Sequence, residues 1–239
     1  MGHYVVDGIV LRSYKLGEAD RILNVLTANR GKVRAVAKGV RKPGSRFGGR
    51  LEPYGHVQLQ LYEGRNLDIV SQAELITSFV EVREDWVASA CAATMAEACD
   101  KLAQEGERAT SMFLLLKDAL GVLAAGPEQP AAVLDAFLMR LSVLEGFRPE
   151  LDACVTCGTT EDIVAFHVGG GGVLCARDTP SGLQRVGPDV LDQMRQLTHG
   201  PWAEIVSGGG TSRRVGALVR SYLSYHLTTN LKAWEAVPR

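Results

Sequence analysis

The most informative segment of the chain runs from Arg30 to Arg50 and reads RGKVRAVAKGVRKPGSRFGGR. It contains eight cationic side chains and no acidic one, namely Arg30, Lys32, Arg34, Lys38, Arg41, Lys42, Arg46 and Arg50. In its first half, Val33, Ala35 and Ala37 alternate with Lys32, Arg34, Val36 and Lys38, which predicts a strand that buries one face and carries much of the charge on the other. The second half is interrupted by Gly and Pro and has no apolar period, which predicts a flexible basic loop.

A cationic strand and loop of this kind can follow a phosphate backbone without reading bases. The alternative is a solvated charged face that keeps the protein in solution. Residues 1–60 carry eleven Lys and Arg against four Asp and Glu, a net charge of +7, so the rest of the chain carries −8. A basic N-terminal region followed by an acidic remainder indicates that the N-terminal region binds an anion. We therefore predict that the eight cations bind nucleic acid.

The sequence around this segment predicts five strands and hence a small barrel. Alternation is clearest in His56–Tyr62, where Val57, Leu59 and Leu61 share one face. The other predicted strands are Tyr4–Leu11, Arg21–Thr27, Lys32–Lys38 and Leu67–Leu75. Five strands within about 75 residues, with a long basic loop after the third, fit a partly open barrel of the oligonucleotide-binding (OB) type.

From about Phe79 the apolar period becomes helical. Helices are predicted over residues 86–102, 109–124, 130–146, 188–197 and 213–231, with Gly208–Gly210 as a linker between the last two. The predicted fold class is α+β, a five-stranded OB barrel followed by a helical domain. The predicted domains are 1–78 and 79–239, and the second contains an inserted zinc-ribbon-like element at about 151–182.

A CxxC step is the sharpest local signal in the second half of the chain. Cys154, Cys157 and a following glycine are typical of half of a tetrahedral zinc site. The other half should be a second CxxC about 15–20 residues on, but there Cys175 is followed by Asp178 instead of a fourth cysteine. We predict a structural zinc bound by Cys154, Cys157, Cys175 and Asp178, with His167 as an alternative fourth ligand. The competing interpretation is a ribbon that has lost its metal.

Enzyme signatures are poor, and we predict no catalytic residue. Residues 39–45 have the glycine spacing of a phosphate-binding P-loop, but Ser45 stands where the lysine belongs. A zinc enzyme would need an open coordination position, which four protein ligands do not leave. Aromatic residues near the basic segment can either stack on unpaired bases or fill the barrel. These residues are Tyr14, Phe47, Tyr54 and Tyr62.

The composition also bears on location. The most apolar stretch, Met112–Ala125, is interrupted by Lys117 and Asp118. We therefore expect a protein that neither spans a membrane nor is exported. Five cysteines, an odd number with two at CxxC spacing, suit the reducing cytoplasm better than a disulfide framework.

Several short sequences, taken together, resemble the RecO family of bacterial recombination mediators. They are Gly8–Arg12 (GIVLR), Leu16–Ile22 (LGEADRI), Gly31-Lys32, Ala37–Arg41 (AKGVR), Leu51–Tyr54 (LEPY) and Tyr222–Leu227 (YLSYHL). The resemblance covers essentially the full length. Asp178 departs from the family's four-cysteine form, and this departure bears on the zinc site.

The resemblance implies a non-catalytic role in homologous recombination and DNA repair. It implies binding of single- and double-stranded DNA, annealing of complementary strands and, together with RecR, loading of RecA onto strands coated with single-stranded-DNA-binding protein (SSB). The implied partners are DNA, RecR, the C-terminal tail of SSB and, indirectly, RecA, with a cytoplasmic location at the nucleoid. The alternative is an OB-fold single-stranded RNA-binding protein without an annealing or recombination role.

Overall fold

The first part of the chain forms a five-stranded barrel in a computed structural model that describes residues 2–207, 211–227 and 230–238. The strands are β1 (His3–Leu16), β2 (Asp20–Thr27), β3 (Gly31–Ala37), β4 (His56–Tyr62) and β5 (Asp68–Thr77). The order around the barrel is β1-β2-β3-β5-β4, and β4 pairs back to β1. This confirms the predicted fold class, a five-stranded OB-type barrel ahead of a helical region.

The closure of the barrel differs from the partly open form expected. Strands β3 and β5 meet in parallel through two residue pairs, Ala35 with Asp68 and Val36 with Ile69. The other neighbouring strands within residues 3–77 pair in antiparallel fashion over longer stretches. The barrel is therefore closed, but β3 and β5 form a short seam. The sequence could not predict this seam, because the alternation of apolar and polar residues in a strand is the same whether or not that strand pairs with a particular neighbour.

The barrel interior is filled by the apolar residues that alternate along the strands. Leu23, Val25, Leu59 and Leu61 are all fully buried there. Apolar side chains from the loop between β3 and β4 complete the same core, and that loop contains a short 3-10 helix, Gly48–Leu51.

The rest of the described chain is mainly helical. Its helices are α1 (Val80–Glu84), α2 (Trp86–Leu102), α3 (Thr110–Ala124), α4 (Pro130–Leu144), α5 (Pro188–His199), α6 (Trp202–Ser207), α7 (Arg213–His226) and a 3-10 helix at Lys232–Ala236. A two-stranded sheet of β6 (Ile163–His167) and β7 (Gly172–Cys175) lies between α4 and α5 in the sequence. None of the helices in the described ranges is both long and apolar enough to cross a membrane.

All five predicted helices are present, and the differences are two short additional helices and an earlier end of the last helix. Helices α1 and α6 were not predicted, because five and six residues are too short to show a helical period. The last helix was expected to run to Leu231 but ends at His226. The predicted linker Gly208–Gly210 lies outside the described residues.

Contacts group the chain into two units, residues 2–126 with 233–236 and residues 127–232 with 237–238. In the first unit, α2 and α3 pack against β1 and β2, and Glu97 of α2 accepts a hydrogen bond from the backbone N–H of Ala233 at 2.8 Å. In the second unit, α4 packs against α5, α6 and α7. The domain boundary after residue 78 stays a prediction, because contacts within folded units do not test it.

Candidate nucleic-acid interface and metal site

Strand β3 carries cations on the outside of the barrel because its side chains alternate. Val33 and Ala35 belong to the barrel core, whereas Arg34 between them is exposed. Lys38, the first residue after the strand, is exposed as well. Val36 is on the same side of the strand as Arg34 but is only 9% exposed. The charged face of β3 is therefore narrower than the alternation predicted.

The basic loop after β3 is anchored to the barrel. The backbone N–H of Arg41 donates to the carbonyl of Ala19, in the turn between β1 and β2, at 2.9 Å. Further along, Phe47 and Leu51 are each 1% exposed and form part of the barrel core. The loop was predicted to be flexible because it has no apolar period, but these two isolated apolar residues attach it to the barrel core. The backbone that carries the cations between these anchors is therefore held against the barrel.

Seven of the eight predicted cations are exposed and form no ion pair within the described residues. They are Arg30, Arg34, Lys38, Arg41, Lys42, Arg46 and Arg50. Some of their N–H groups donate to backbone carbonyls, as Nη1 of Arg41 does to Gly17 at 3.2 Å. Such a bond orients the side chain without neutralising its charge, so the surface still attracts anions.

Lys32 is the exception among the predicted cations. Its Nζ lies 3.8 Å from Oδ1 of Asp100 in α2 and donates to the backbone carbonyl of the same residue. Arg12 lies 3.8 Å from the other carboxylate oxygen of Asp100. The ammonium group of Lys32 thus pairs with α2 within the protein, which makes Lys32 a weak candidate for contact with an external anion. The sequence could not show this, because the partner lies 68 residues away.

The aromatic residues near the basic segment divide into buried and accessible ones. Phe47 is in the core and cannot stack on a base, whereas Tyr14 is 46% exposed. Tyr54 and Tyr62 are half-buried, and burial raises the pKa of Tyr54. No sequence pattern singles out Tyr4, yet the guanidinium carbon of Arg30 lies 4.0 Å from the centre of its ring.

The predicted metal ligands come together in the second unit. One ligand atom each of Cys154, Cys157, Cys175 and Asp178 lies within 4.8 Å of all the others. Oδ2 of Asp178 is 3.4 Å from the sulfur of Cys154 and 3.3 Å from that of Cys175. The sulfurs of Cys157 and Cys175 are 3.8 Å apart. Four soft and hard donors at this spacing can hold one metal ion.

Two backbone turns present these ligands. The N–H of Gly158 donates to the carbonyl of Cys154 at 2.8 Å, and Gly158 has a φ of +76°, which a residue with a side chain rarely adopts. In the second turn the N–H of Asp178 donates to the carbonyl of Cys175 at 3.2 Å. The strand pair β6 and β7 holds the turns close together, because Cys175 ends β7 and packs with Cys154 in a small apolar cluster.

The electrostatics of the group favour negative charge on Asp178 and Cys154 but not on Cys157. Hydrogen bonds from Cys157, Arg177 and Cys175 hold the pKa of Asp178 well below its usual range. The bond to that carboxylate raises the pKa of Cys157 to about 11. Burial opposes ionisation of Cys154, but N–H groups of the two turns donate to its sulfur and leave its pKa lowered. A carboxylate and a thiolate already favoured in their charged forms suit a divalent cation.

His167, the alternative fourth ligand, is not a member of this group. It ends β6, and its Nδ1 lies beside the β6–β7 turn, 2.6 Å from where a Cβ on Gly170 would stand. Asp178 also has an outer partner, since Nε of Arg177 lies 3.3 Å from its Oδ1. Partners of this kind orient a metal ligand.

The fold and these groups define the protein as an OB-barrel protein with an exposed cationic surface and a candidate metal site in its helical part. A family model described as "Recombination protein O N terminal" matches residues 1–79, and one described as "Recombination protein O C terminal" matches residues 83–235. The chain therefore belongs to the RecO family of DNA repair proteins.

Individual relatives agree with this assignment. A protein named "DNA repair protein RecO" from Nocardioides sp. is 41% identical over 242 residues, covering 99% of each chain. Proteins of the same name from Bifidobacterium longum and Frankia casuarinae are 40% and 41% identical, covering 98% and 96% of each chain.

Proposed function

We propose that the chain is a non-catalytic recombination mediator that binds single- and double-stranded DNA and anneals complementary strands. The observation that carries the proposal is the set of seven exposed cations without carboxylate partners among the described residues, on the OB barrel of a DNA repair family. The binding residues are those seven cations, with Lys32 contributing less because Asp100 engages it.

Annealing follows from the same charge. Two complementary strands repel each other through their phosphates, and a cationic surface that displaces their counterions lowers this repulsion. The new duplex supplies the free energy, so neither a nucleotide cofactor nor a catalytic residue is needed. Anchoring at Phe47 and Leu51 favours this role, because cations held in place lose less conformational entropy when they meet a backbone.

Family membership supports the remaining partners. We propose that the chain acts with RecR to promote RecA loading on SSB-coated single strands, and that it contacts the C-terminal tail of SSB. A protein with this role works in the bacterial cytoplasm, at the nucleoid.

We further propose that the metal is zinc and that its role is structural. In a tetrahedron with zinc–sulfur distances of about 2.3 Å, two sulfurs are about 3.8 Å apart, and a sulfur and a carboxylate oxygen are about 3.5 Å apart. The observed separations of 3.8 Å and of 3.3 and 3.4 Å are close to these values. The residues therefore fit zinc, which when bound would join the two turns, and four protein ligands leave no position for a catalytic water.

DNA binding is tested by the salt dependence of the association constant. Neutralising Lys38, Arg41, Lys42 and Arg46 to glutamine should weaken binding to all sequences alike. It should also flatten the plot of log K against log salt by about 0.7 per lost contact on single strands and about 0.9 on duplex. The measurement is a filter-binding titration across salt with DNA and with RNA of the same sequence.

The matched control removes the same charge from the second unit, by changing Arg148, Arg185, Arg213 and Arg220, all exposed, to glutamine. Its slope should equal that of the parent. If the control flattens the slope and the loop variant does not, the DNA site lies on the second unit. If RNA binds as well as DNA, and SSB-coated complementary strands are not annealed, the RNA-binding alternative replaces the proposal.

A further inference from the structure

The first unit contains a cleft that the charge pattern alone does not explain. It has a volume of about 400 Å³ and lies between the start of β3 and the turn from β4 to β5. Tyr4, Arg30, Arg34 and Arg65 line it, together with Asn66. Ligand pockets start at about 300 Å³, so the space suits a group of the size of one nucleotide.

The ring of Tyr4 is held in a fixed position in this cleft. Its hydroxyl donates to the carboxylate of Asp68 in β5, and Oδ1 of Asp68 accepts a hydrogen bond from the N–H of Gly64 at 3.0 Å. Burial and the neighbouring carboxylate raise the pKa of Tyr4, so the hydroxyl stays a donor at physiological pH. The ring therefore forms a rigid platform between β1 and the β4–β5 turn.

Arg30 lies on this platform. Its guanidinium carbon is 4.0 Å from the centre of the Tyr4 ring, a cation–π contact. The side chain is nevertheless exposed and forms no ion pair within the described residues. A guanidinium that lies over a ring and lines a cleft can stack on a second flat group.

The charge of the cleft indicates what that group is. A surface for duplex backbone would be cationic throughout, but Glu63 and Glu105 line this cleft beside the arginines. A mixture of donors and acceptors suits the polar edge of a nucleobase, while an arginine suits its phosphate. The faces of bases in a duplex are covered by their neighbours, so only an unpaired base can be stacked in this way.

We infer that the cleft holds one unpaired nucleotide of a single strand, with its base stacked on the guanidinium of Arg30 and its phosphate near Arg34 and Arg65. This inference rests on the proposed DNA-binding function. The stacked base is a contact that only a single strand can make, whereas the cations of the barrel attract both forms of DNA.

The test separates stacking from charge by changing Arg30 to lysine. Lysine keeps the positive charge but lacks the planar group. The matched control is Arg148→Lys, which makes the same change at an exposed arginine outside both the cleft and the proposed DNA-binding residues. The three probes are an oligothymidylate, an abasic strand of the same length and a duplex of the same length.

Arg30→Lys should weaken binding of the oligothymidylate about three- to tenfold while leaving the abasic strand and the duplex within about twofold of the parent. Arg148→Lys should leave all three affinities within the same limits. As a second readout, the fluorescence of a 2-aminopurine strand should be quenched by the parent and less so by Arg30→Lys, which reports stacking directly.

An equal loss on all three probes would show that Arg30 is a simple phosphate contact, and no loss on any probe would remove it from the interface. Either result overturns the stacking inference but leaves the proposed function intact, provided that the parent binds DNA with a steep salt dependence. If the parent binds none of the probes, the proposed function itself fails.

Discussion

Asp178 directs its two carboxylate oxygens to different partners. Oδ2 lies between the sulfurs of Cys154 and Cys175, whereas Oδ1 lies 3.3 Å from Nε of Arg177. One oxygen is thus placed as a ligand and the other is held by a cation outside the group. This division explains how an aspartate can take the position of a fourth cysteine, because Arg177 fixes the carboxylate in the orientation that the ligand oxygen needs.

If this group binds zinc, its substitutions should change metal affinity and stability together. Cys154→Ser and Asp178→Ala should each release zinc faster to a chelator and lower the melting temperature, since binding energy at a structural site is folding energy. Asp178→Cys should have the opposite effect, because a thiolate is a softer ligand than a carboxylate. Metal content, chelator release and thermal unfolding of each variant provide the measurement.

The control for the zinc variants is His167→Ala. His167 is exposed and lies outside the group, so its loss should leave zinc release at the parent rate. Purified protein without zinc, together with an unchanged melting temperature in Cys154→Ser, would rule out the metal. A fast release in His167→Ala alone would make the histidine the fourth ligand.

Gly31 is a second residue whose identity is imposed by its surroundings. It has a φ of +59°, and a Cβ there would lie 2.1 Å from the carbonyl oxygen of Gln104 and 2.4 Å from that of Glu107. Gly31→Ala should therefore lower the free energy of unfolding by at least about 2 kcal/mol, measured in urea. Gly49→Ala is the control, since no atom lies within 4 Å of its Cβ position and its change should be close to neutral. Equal stability of the two variants would show that the turn can move aside.

At the scale of elements, the basic loop is the part that the sequence describes least well. Its charges and its glycines are visible in the sequence, and they indicate flexibility. Its two anchors, Phe47 and Leu51, are too few to form an apolar period, so their place in the barrel core could only be seen in the structure. The loop thus carries exposed cations on a backbone that two buried apolar side chains hold to the barrel. We expect the position of the cations to depend on these two side chains.

Phe47→Ala should test this dependence. The cavity left in the barrel should lower the free energy of unfolding by about 3–5 kcal/mol. Hydrogen exchange of residues 39–50 should speed up, and affinity for DNA should fall because the cations lose their fixed positions. Phe47→Leu keeps an apolar side chain of similar size and should cost less than about 1.5 kcal/mol with affinity retained. Unchanged exchange in the alanine variant would mean that the backbone bond at Arg41 is sufficient.

Elsewhere in the chain, too, features set by neighbouring residues could be predicted from the sequence, whereas contacts between distant residues could not. The five strands and the long helices follow from alternation and period, and the metal group follows from the spacing of Cys154, Cys157, Cys175 and Asp178. Contacts between distant segments carry no such signal. The pairing of Lys32 with Asp100 and the position of Arg30 on Tyr4 are examples, and both change what a cation can do.

At the scale of the whole molecule, the barrel is completed by residues that follow it in the chain. The N–H of Lys32 donates to the carbonyl of Gln104 at 3.0 Å, and the N–H of Gly106 donates to the carbonyl of Arg30 at the same distance. The connection between α2 and α3 thus covers the part of β3 that does not reach β5. Uncovered strand edges promote association between molecules.

Two fragments of the chain, one with and one without the connection between α2 and α3, should differ in self-association. Residues 1–79 contain all five strands but leave the start of β3 bare, so we expect this fragment to self-associate and to exchange the amide hydrogens of residues 31–33 rapidly. Residues 1–126 include the covering connection and should remain monomeric with slow exchange at those positions. Sedimentation velocity and hydrogen exchange measure both properties. A monomeric, well-protected 1–79 fragment would show that the barrel does not need the connection, and would support a domain boundary after residue 78.

The covering connection also sets an order of events during synthesis. The last residue of β5 leaves the ribosome about thirty residues ahead of Gly106, an interval of roughly 1.5–6 s. During that interval every strand of the barrel exists, but the start of β3 has no partner on one side. A bare edge of this kind can pair with the same edge of another nascent chain. We therefore expect slower translation of residues 78–106 to increase mispairing.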